Sequence, residues 1–204
     1  MPQVAGVDVS RETADRLTEF AQLVAKWNPR INLVSKGSLA DLHDRHIADS
    51  IQLYRHIPPE VESWADLGSG GGFPGIILAI LAKGTRSSPI EVTLVESDQR
   101  KATFLRTASR QLDLAVNVAT SRIEDLPPMN AHGLSARALA PLTKLLDYAA
   151  RHLSPDGFAL FPKGETAAKE IATAEADWSF DLEQIPSITN PEAVILKLKR
   201  IKRV

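Results

Sequence analysis

The stretch Asp66-Leu67-Gly68-Ser69-Gly70-Gly71-Gly72-Phe73-Pro74-Gly75 constrains this chain more than any other. It follows a short β-forming run, Trp64-Ala65-Asp66-Leu67, and leads into the apolar run from Ile76 to Ala82. Glycines in a strand-to-helix turn let the backbone take positive φ and approach a ligand closely. The start of the helix then offers unpaired N–H groups to a negative group on that ligand. Two ligand classes use this device. Gly70, Gly72 and Gly75 satisfy the Gly-x-Gly-x-x-Gly register of a dinucleotide site. Asp66, Gly68, Gly70 and Gly72 satisfy the Asp-x-Gly-x-Gly-x-Gly register of an S-adenosylmethionine (SAM) site. The acid favours SAM, because a carboxylate attracts its ammonium and sulfonium and would repel a pyrophosphate. A tight turn without a ligand is the remaining alternative.

The surroundings of the turn set the fold class. Strands are expected over 64–67, 91–96, 116–119, 133–136 and 158–161. Helices are expected over 74–82, 99–112, 142–153 and 166–176, so the two types alternate. Two last strands, near 180–185 and 193–201, have no helix between them. This is the pattern of an α/β, Rossmann-like SAM-binding domain over 58–204. Its sheet should be mostly parallel and seven-stranded, with helices on both faces and an antiparallel edge. Residues 1–57 read as a helical N-terminal extension. Leu17, Phe20, Ala21, Val24 and Trp27 recur at helical spacing behind Ser10, a candidate N-cap. Asn28-Pro29 is expected to stop that helix. A second helix is expected from Ser38, with Asp41 in a capping-box-like place, to about residue 55.

Glu96 ends the second strand, where a carboxylate binds ribose hydroxyls in either ligand class. Ile123 and Glu124 follow the third strand, at the level of an adenine. Arg137 and Lys163 stand at the ends of the fourth and fifth strands, which face the ligand crevice of such a sheet. His43, His46 and Asp49 have a spacing that can put metal ligands on one helix face, but a hydrogen-bonding role for His46 is the preferred reading and no metal is expected.

Composition narrows the chemistry. There are no cysteines among the 204 residues, which excludes disulfides and every thiolate mechanism, including thiolate-dependent methylation at pyrimidine C5. The fourth strand runs into Leu134-Ser135-Ala136-Arg137-Ala138-Leu139, unlike the Asn/Asp-Pro-Pro-Tyr/Phe run of exocyclic amino methylation. Arg137 stands near the place where ribose 2′-O methylation often uses an aspartate. An acceptor that is already nucleophilic, such as guanine N7, fits best, since it needs no general base. The net charge is −1, and residues 1–56 carry seven acids and seven bases. Such a field does not suit strong non-specific nucleic-acid binding, so polyanion contact would rest on local basic groups. Arg100, Arg106 and Arg110 on one helix, with Lys36, Arg45 and Arg122, are candidates for a basic rim. The last twelve residues carry five bases and no acid, which suits either rRNA contact or protection of an edge strand. No apolar run is long enough to cross a bilayer, and a cytoplasmic protein is expected.

The residues also carry a resemblance. The stretches Asn32-Leu33-Val34-Ser35, Arg45-His46-Ile47-Ala48-Asp49-Ser50 and the glycine loop come in order, followed by Thr93-Leu94-Val95-Glu96-Ser97, Ser121-Arg122-Ile123-Glu124, Ser135-Ala136-Arg137-Ala138 and Lys163-Gly164. The chain resembles the bacterial small-subunit rRNA guanine-N7 methyltransferases, the RsmG or glucose-inhibited division protein B family. The resemblance implies methyl transfer from SAM, leaving S-adenosylhomocysteine, to N7 of a guanine in the 530 loop of 16S rRNA. It implies that Gly68, Phe73, Ile123, Glu124 and Arg137 contact SAM. It also implies that Arg100, Arg122 and Lys163 lie around the target base or its phosphates, with 16S rRNA or the small ribosomal subunit as partner. A monomer is expected. Glu96 stands where the family pattern has Asp, and Asn190-Pro191-Glu192-Ala193 lacks an expected Arg-His.

Overall fold

The computed structural model describes residues 3–4, 6–39 and 41–204, without the side chains of residues 3, 4, 36 and 44. A two-residue hairpin, β1 (Gln3–Val4) with β2 (Val7–Asp8), precedes the long helix α1 (Arg11–Ile31). Ser10 is the N-cap of α1, its hydroxyl accepting from the Thr13 N–H at 3.1 Å. Leu17, Phe20, Leu23 and Val24 form its buried stripe. The helix does not stop at Asn28-Pro29 but continues to Ile31, where Asn32 closes it in a left-handed conformation. A proline this near the end removes one N–H and presses its ring on the carbonyl four residues back, a local cost the last turn absorbs. Beyond the proline, Asn28 fixes the end of the helix: its carbonyl accepts from the Asn32 N–H and its side chain accepts from the Val34 N–H at 2.8 Å.

The second helical segment also differs from expectation. It begins two residues earlier, as α2 (Lys36–Leu39), because Ser35 rather than Ser38 supplies the capping hydroxyl, at 3.2 Å from the Ser38 N–H. After a break the chain winds as one wide π-helical stretch, His43–Ala48, before α3 (Asp49–Tyr54). Wide turns of this kind are rare and concentrate at functional sites.

The sheet has seven strands: β3 (Ser63–Leu67), β4 (Glu91–Val95), β5 (Val116–Ala119), β6 (Ala131–Ala136), β7 (Leu153–Lys163), β8 (Trp178–Pro186) and β9 (Val194–Arg203). Their order is β5-β4-β3-β6-β7-β9-β8. The first five run parallel, and β9 is antiparallel to both β7 and β8, as the sequence pattern implied. Between them lie α4 (Gly75–Thr85), α5 (Gln99–Gln111), α6 (Leu142–His152) and α7 (Ala167–Ala174). Among the described residues, no helix is long and apolar enough to cross a membrane.

Two apolar layers cover the sheet. On one face α4 and α5 pack with the N-terminal α1, and Phe20, Phe104, Ile76 and Ile80 share one core. On the other face α6 and α7 pack over Leu134, Phe161 and Leu198. The extension is thus built into the core beneath the glycine loop.

The basic C-terminal strand does not protect an edge. β9 lies inside the sheet between β7 and β8, and β8 is the edge. Its cations meet neighbours on the sheet: Lys197 pairs with Glu183, Arg200 with Asp181, and Arg203 lies over the Trp178 ring.

Candidate functional site

The strand register brings five chain segments to one edge. Leu67 pairs with Val95 and Ala136, and Lys163 pairs with Val194. The glycine loop, Glu96, Arg137, Lys163 and the loop from β8 to β9 therefore share the carboxyl end of the sheet. This is where open α/β sheets bind ligands.

Asp66 is fully buried and organises the loop from below. One carboxylate oxygen accepts from the Ser135 hydroxyl at 2.7 Å and the other from the Gly75 N–H at 3.2 Å. Ser135 in turn accepts from the Trp64 indole N–H at 2.9 Å. Burial pushes the Asp66 pKa up to about 6, against these hydrogen bonds. Its carboxylate faces into the turn, so its direct contacts hold the loop to the start of α4.

Gly68 and Gly70 need their freedom of conformation. Gly68 has φ +65°, and a Cβ there would lie 2.6 Å from the Leu139 side chain. Gly70 has φ +54°, and nothing comes within 3.7 Å of where its Cβ would be, so it forms an open floor. Glu96 ties that floor to β4, accepting from the Gly70 N–H at 2.9 Å and the Asp98 N–H at 2.8 Å. Gly72 is backed by Phe20 and Ile76. Phe73 is buried, its ring 5.3 Å from Phe20 and 5.1 Å from His46.

Ile123 and Glu124 sit one loop away, after β5. The Ile123 side chain is buried in the α6 face, and its carbonyl lies 3.2 Å from His152 Nε2. Glu124 is exposed and accepts from the Tyr148 hydroxyl at 2.6 Å. That bond, first among several, holds the Glu124 carboxyl below its ordinary pKa, and burial pushes Tyr148 up to about 12. Arg122 is exposed beside them.

Arg137 is the most heavily engaged of the expected residues. Its guanidinium donates to His46 Nδ1 at 2.7 Å, to the Arg45 carbonyl at 3.3 Å and to Asp49 at 3.4 Å, and it lies 5.4 Å from the centre of the Phe73 ring. The π-helical stretch thus supplies Arg45 and His46, and the start of α3 supplies Asp49. A guanidinium only donates, so Nδ1 accepts and the His46 proton rests on Nε2. Burial, then Arg137 and Arg45, lower the His46 pKa to about 4. Burial also lowers the Arg137 pKa, and Asp49 opposes it.

Beyond Arg137 opens a cleft of about 1430 Å³, lined by the β6 and β7 ends, α7 and the β8–β9 loop. Arg45, Arg137, Lys163 and Lys169 give it positive groups. Lys163 is held at 2.7 Å from Glu170 and 3.0 Å from the Ala140 carbonyl. Burial disfavours ionised Glu170, but bonds from Lys163, Thr166 and the Leu142 N–H outweigh it and lower its pKa. The cleft meets the glycine loop through Leu139, which lines the one and packs on the other.

Not every expected basic group gathers there. Of the six rim candidates, Arg45 lines the cleft. Arg100 pairs with Asp98 and Arg106 bonds to Thr120, both on exposed parts of α5. The Lys36 side chain lies outside the described residues. Sequence reasoning missed Gln52, which is buried and joins Asp49, Ser187 and Thr189 across the cleft wall. A polar residue on the apolar side of a short helix was its one signal.

Comparison with known proteins follows the same lines. The family model described as rRNA small subunit methyltransferase G matches residues 13–196. The ribosomal RNA small subunit methyltransferase G of Ruegeria pomeroyi is 52% identical over 204 residues, 100% of this chain and 99% of that protein. Among solved structures, a TehB-like SAM-dependent methyltransferase from Corynebacterium glutamicum matches with a TM-score of 0.57 at 12% identity, over 90% of this chain and 98% of that one. M. jannaschii TYW2 in complex with AdoMet matches with a TM-score of 0.54 at 17% identity, over 76% and 77%. These two share the fold. The family match spans most of the sequence, including the loop, the π-helical stretch and the cleft, and this chain belongs to the rRNA small subunit methyltransferase G family.

Proposed function

We propose that this protein methylates N7 of a guanine in the 530 loop of 16S rRNA, using SAM, and acts as a cytoplasmic monomer on rRNA or the small ribosomal subunit. The observation that carries the reading is the junction at Leu139, whose side chain packs on Gly68 of the glycine loop and also lines the cleft that holds Arg45, Arg137, Lys163 and Lys169. A cofactor site and an acceptor site must adjoin for a group to pass between them.

The residues present fit SAM. The open floor at Gly70, the N–H groups beside it and the neighbouring Glu96 suit a nucleoside with a charged tail. Asp66, Gly68, Gly70, Gly72 and Phe73 would shape its cradle, Glu96 would meet the ribose, and Ile123 and Glu124 the adenine. Bound SAM supplies a sulfonium methyl group, which passes to the acceptor nitrogen with one positive charge. Guanine N7 holds a free lone pair at neutral pH, so the protein need not remove a proton. Its work is to align the base and exclude water. Arg137, fixed by His46 and Asp49, stands between the two sites and orients what enters either. Lys163 and Arg122 would steady the base or its phosphates, with Arg45, Arg100, Arg106 and Lys36 as outer RNA contacts. The extension, residues 1–57, is a working part of the domain over 58–204, because it holds Arg137.

The test uses labelled SAM with purified small subunits, and with naked 16S rRNA in a parallel reaction. Label in the RNA of either, lost with Arg137→Ala, supports the reading. SAM binding without label in RNA contradicts it.

A further inference from the structure

Two walls of the charged cleft turn large apolar side chains toward solvent. Leu139 is 36% exposed and Ile188 57%. With Val204 at the carboxyl end, they are the exposed large hydrophobic residues among those described. Scattered exposed apolar residues need no explanation. These two line one cleft, and each is held by its own device.

Leu139 follows Ala138, whose φ of +53° is uncommon for a residue with a side chain. That turn sets the Leu139 side chain over Gly68. Ile188 is held from beneath. Its N–H donates to Gln52 Oε1 at 3.0 Å, and Gln52 Nε2 donates to Asp49 at 2.7 Å and to the Ser187 hydroxyl at 3.1 Å. Gln52 is 2% exposed, so a buried amide is committed to fixing an exposed loop. The strand order places the end of β7, with Lys163, between the two walls.

Arginines and lysines around the cleft match phosphates, which have no use for isobutyl and sec-butyl groups. A ligand needing both is a nucleotide with its base unstacked, since the faces of a base are flat and apolar. Enzymes that modify a base take it out of the stack and hold its faces between apolar or aromatic side chains. We propose that Leu139 and Ile188 are the apolar contacts that hold the faces of the acceptor base, and that Gln52 is a positioning residue for Ile188. The inference rests on the RNA reading above and adds the side chains that grip the base. Leu139 meets it on the side of the glycine loop and Ile188 on the far side.

Steady-state methylation of small subunits from a strain lacking this gene tests it, with SAM affinity measured separately by calorimetry. Ile188→Ala and Leu139→Ala are each expected to lower kcat/KM for the subunit by about tenfold, the scale of one apolar contact in a transition state. For Ile188→Ala the SAM affinity and melting temperature stay at wild type, and the salt dependence of subunit binding is unchanged, because no phosphate contact is lost. Ile188→Phe retains activity. Gln52→Ala shows the same loss as Ile188→Ala, and the double variant falls no further. Wild-type kinetics in either apolar variant, beside an active wild-type protein, overturns the pair. A wild-type protein inactive on subunits overturns the RNA reading and the pair with it.

Discussion

Gly68 joins the cofactor loop to the cleft, and its backbone tolerates little change. A methyl group added there meets both a positive φ and Leu139. Gly68→Ala is therefore expected to cost about 1–3 kcal/mol of local strain and to weaken SAM binding by an order of magnitude or more, read by calorimetry. His46 gives a pH signature. Its pKa is 6.5 unfolded and about 4 folded, so the folded state binds fewer protons between those values. Its contribution to stability is complete above pH 6.5 and is lost as pH falls through 4. Asp66, raised to about 6, acts in the opposite sense, its share falling as pH rises through 6. Comparison with His46→Gln isolates the first effect. The wild-type advantage in denaturant unfolding should shrink by about 1–2 kcal/mol between pH 7 and pH 4, a figure discounted because the ring is half-buried. The glycine register was legible residue by residue. The inward role of Asp66 was not, because its partner Ser135 lies 69 residues on.

Element by element, the alternation of strands and helices was legible because each period is local. The seven strands and four helices of the sheet domain are those the apolar spacing predicts, though β7 starts at Leu153, five residues before the expected strand over 158–161. Ends were less legible where local contacts decide them: α1 runs past Pro29 to an end that Asn28 ties to Val34, and Ser35 starts α2 early. The π-helical stretch was not legible; its Arg45 and His46, with Asp49 at the start of α3, meet Arg137, a residue about ninety positions away in the chain. Helix α1 is the element on which the loop leans. Phe20 is fully buried, 5.3 Å from the Phe73 ring and against Gly72. Phe20→Ala is expected to cost about 3–5 kcal/mol in urea unfolding. SAM affinity should fall with it, because the cavity opens under the cradle.

For the whole molecule, a net charge of −1 leaves little long-range pull on RNA, so binding rests on individual contacts. Arg45→Ala should weaken subunit binding and reduce the slope of log affinity against log salt by about 1. Lys197→Ala should change neither, because Lys197 already meets Glu183. Fold class and family were legible in the chain because motif order is a property of the whole sequence. The far wall of the cleft was not, because Gln52 reaches Ser187 across 135 residues. The proposed reaction leaves a methyl mark at one nitrogen of one RNA loop. The direct measurement is chemical cleavage mapping of 16S rRNA after reaction of small subunits, from a strain lacking this gene, with this protein and labelled SAM. A single N7-methylguanine in the 530 loop is expected, absent with Arg137→Ala. Label at another atom or another loop, or none despite SAM binding, would contradict it.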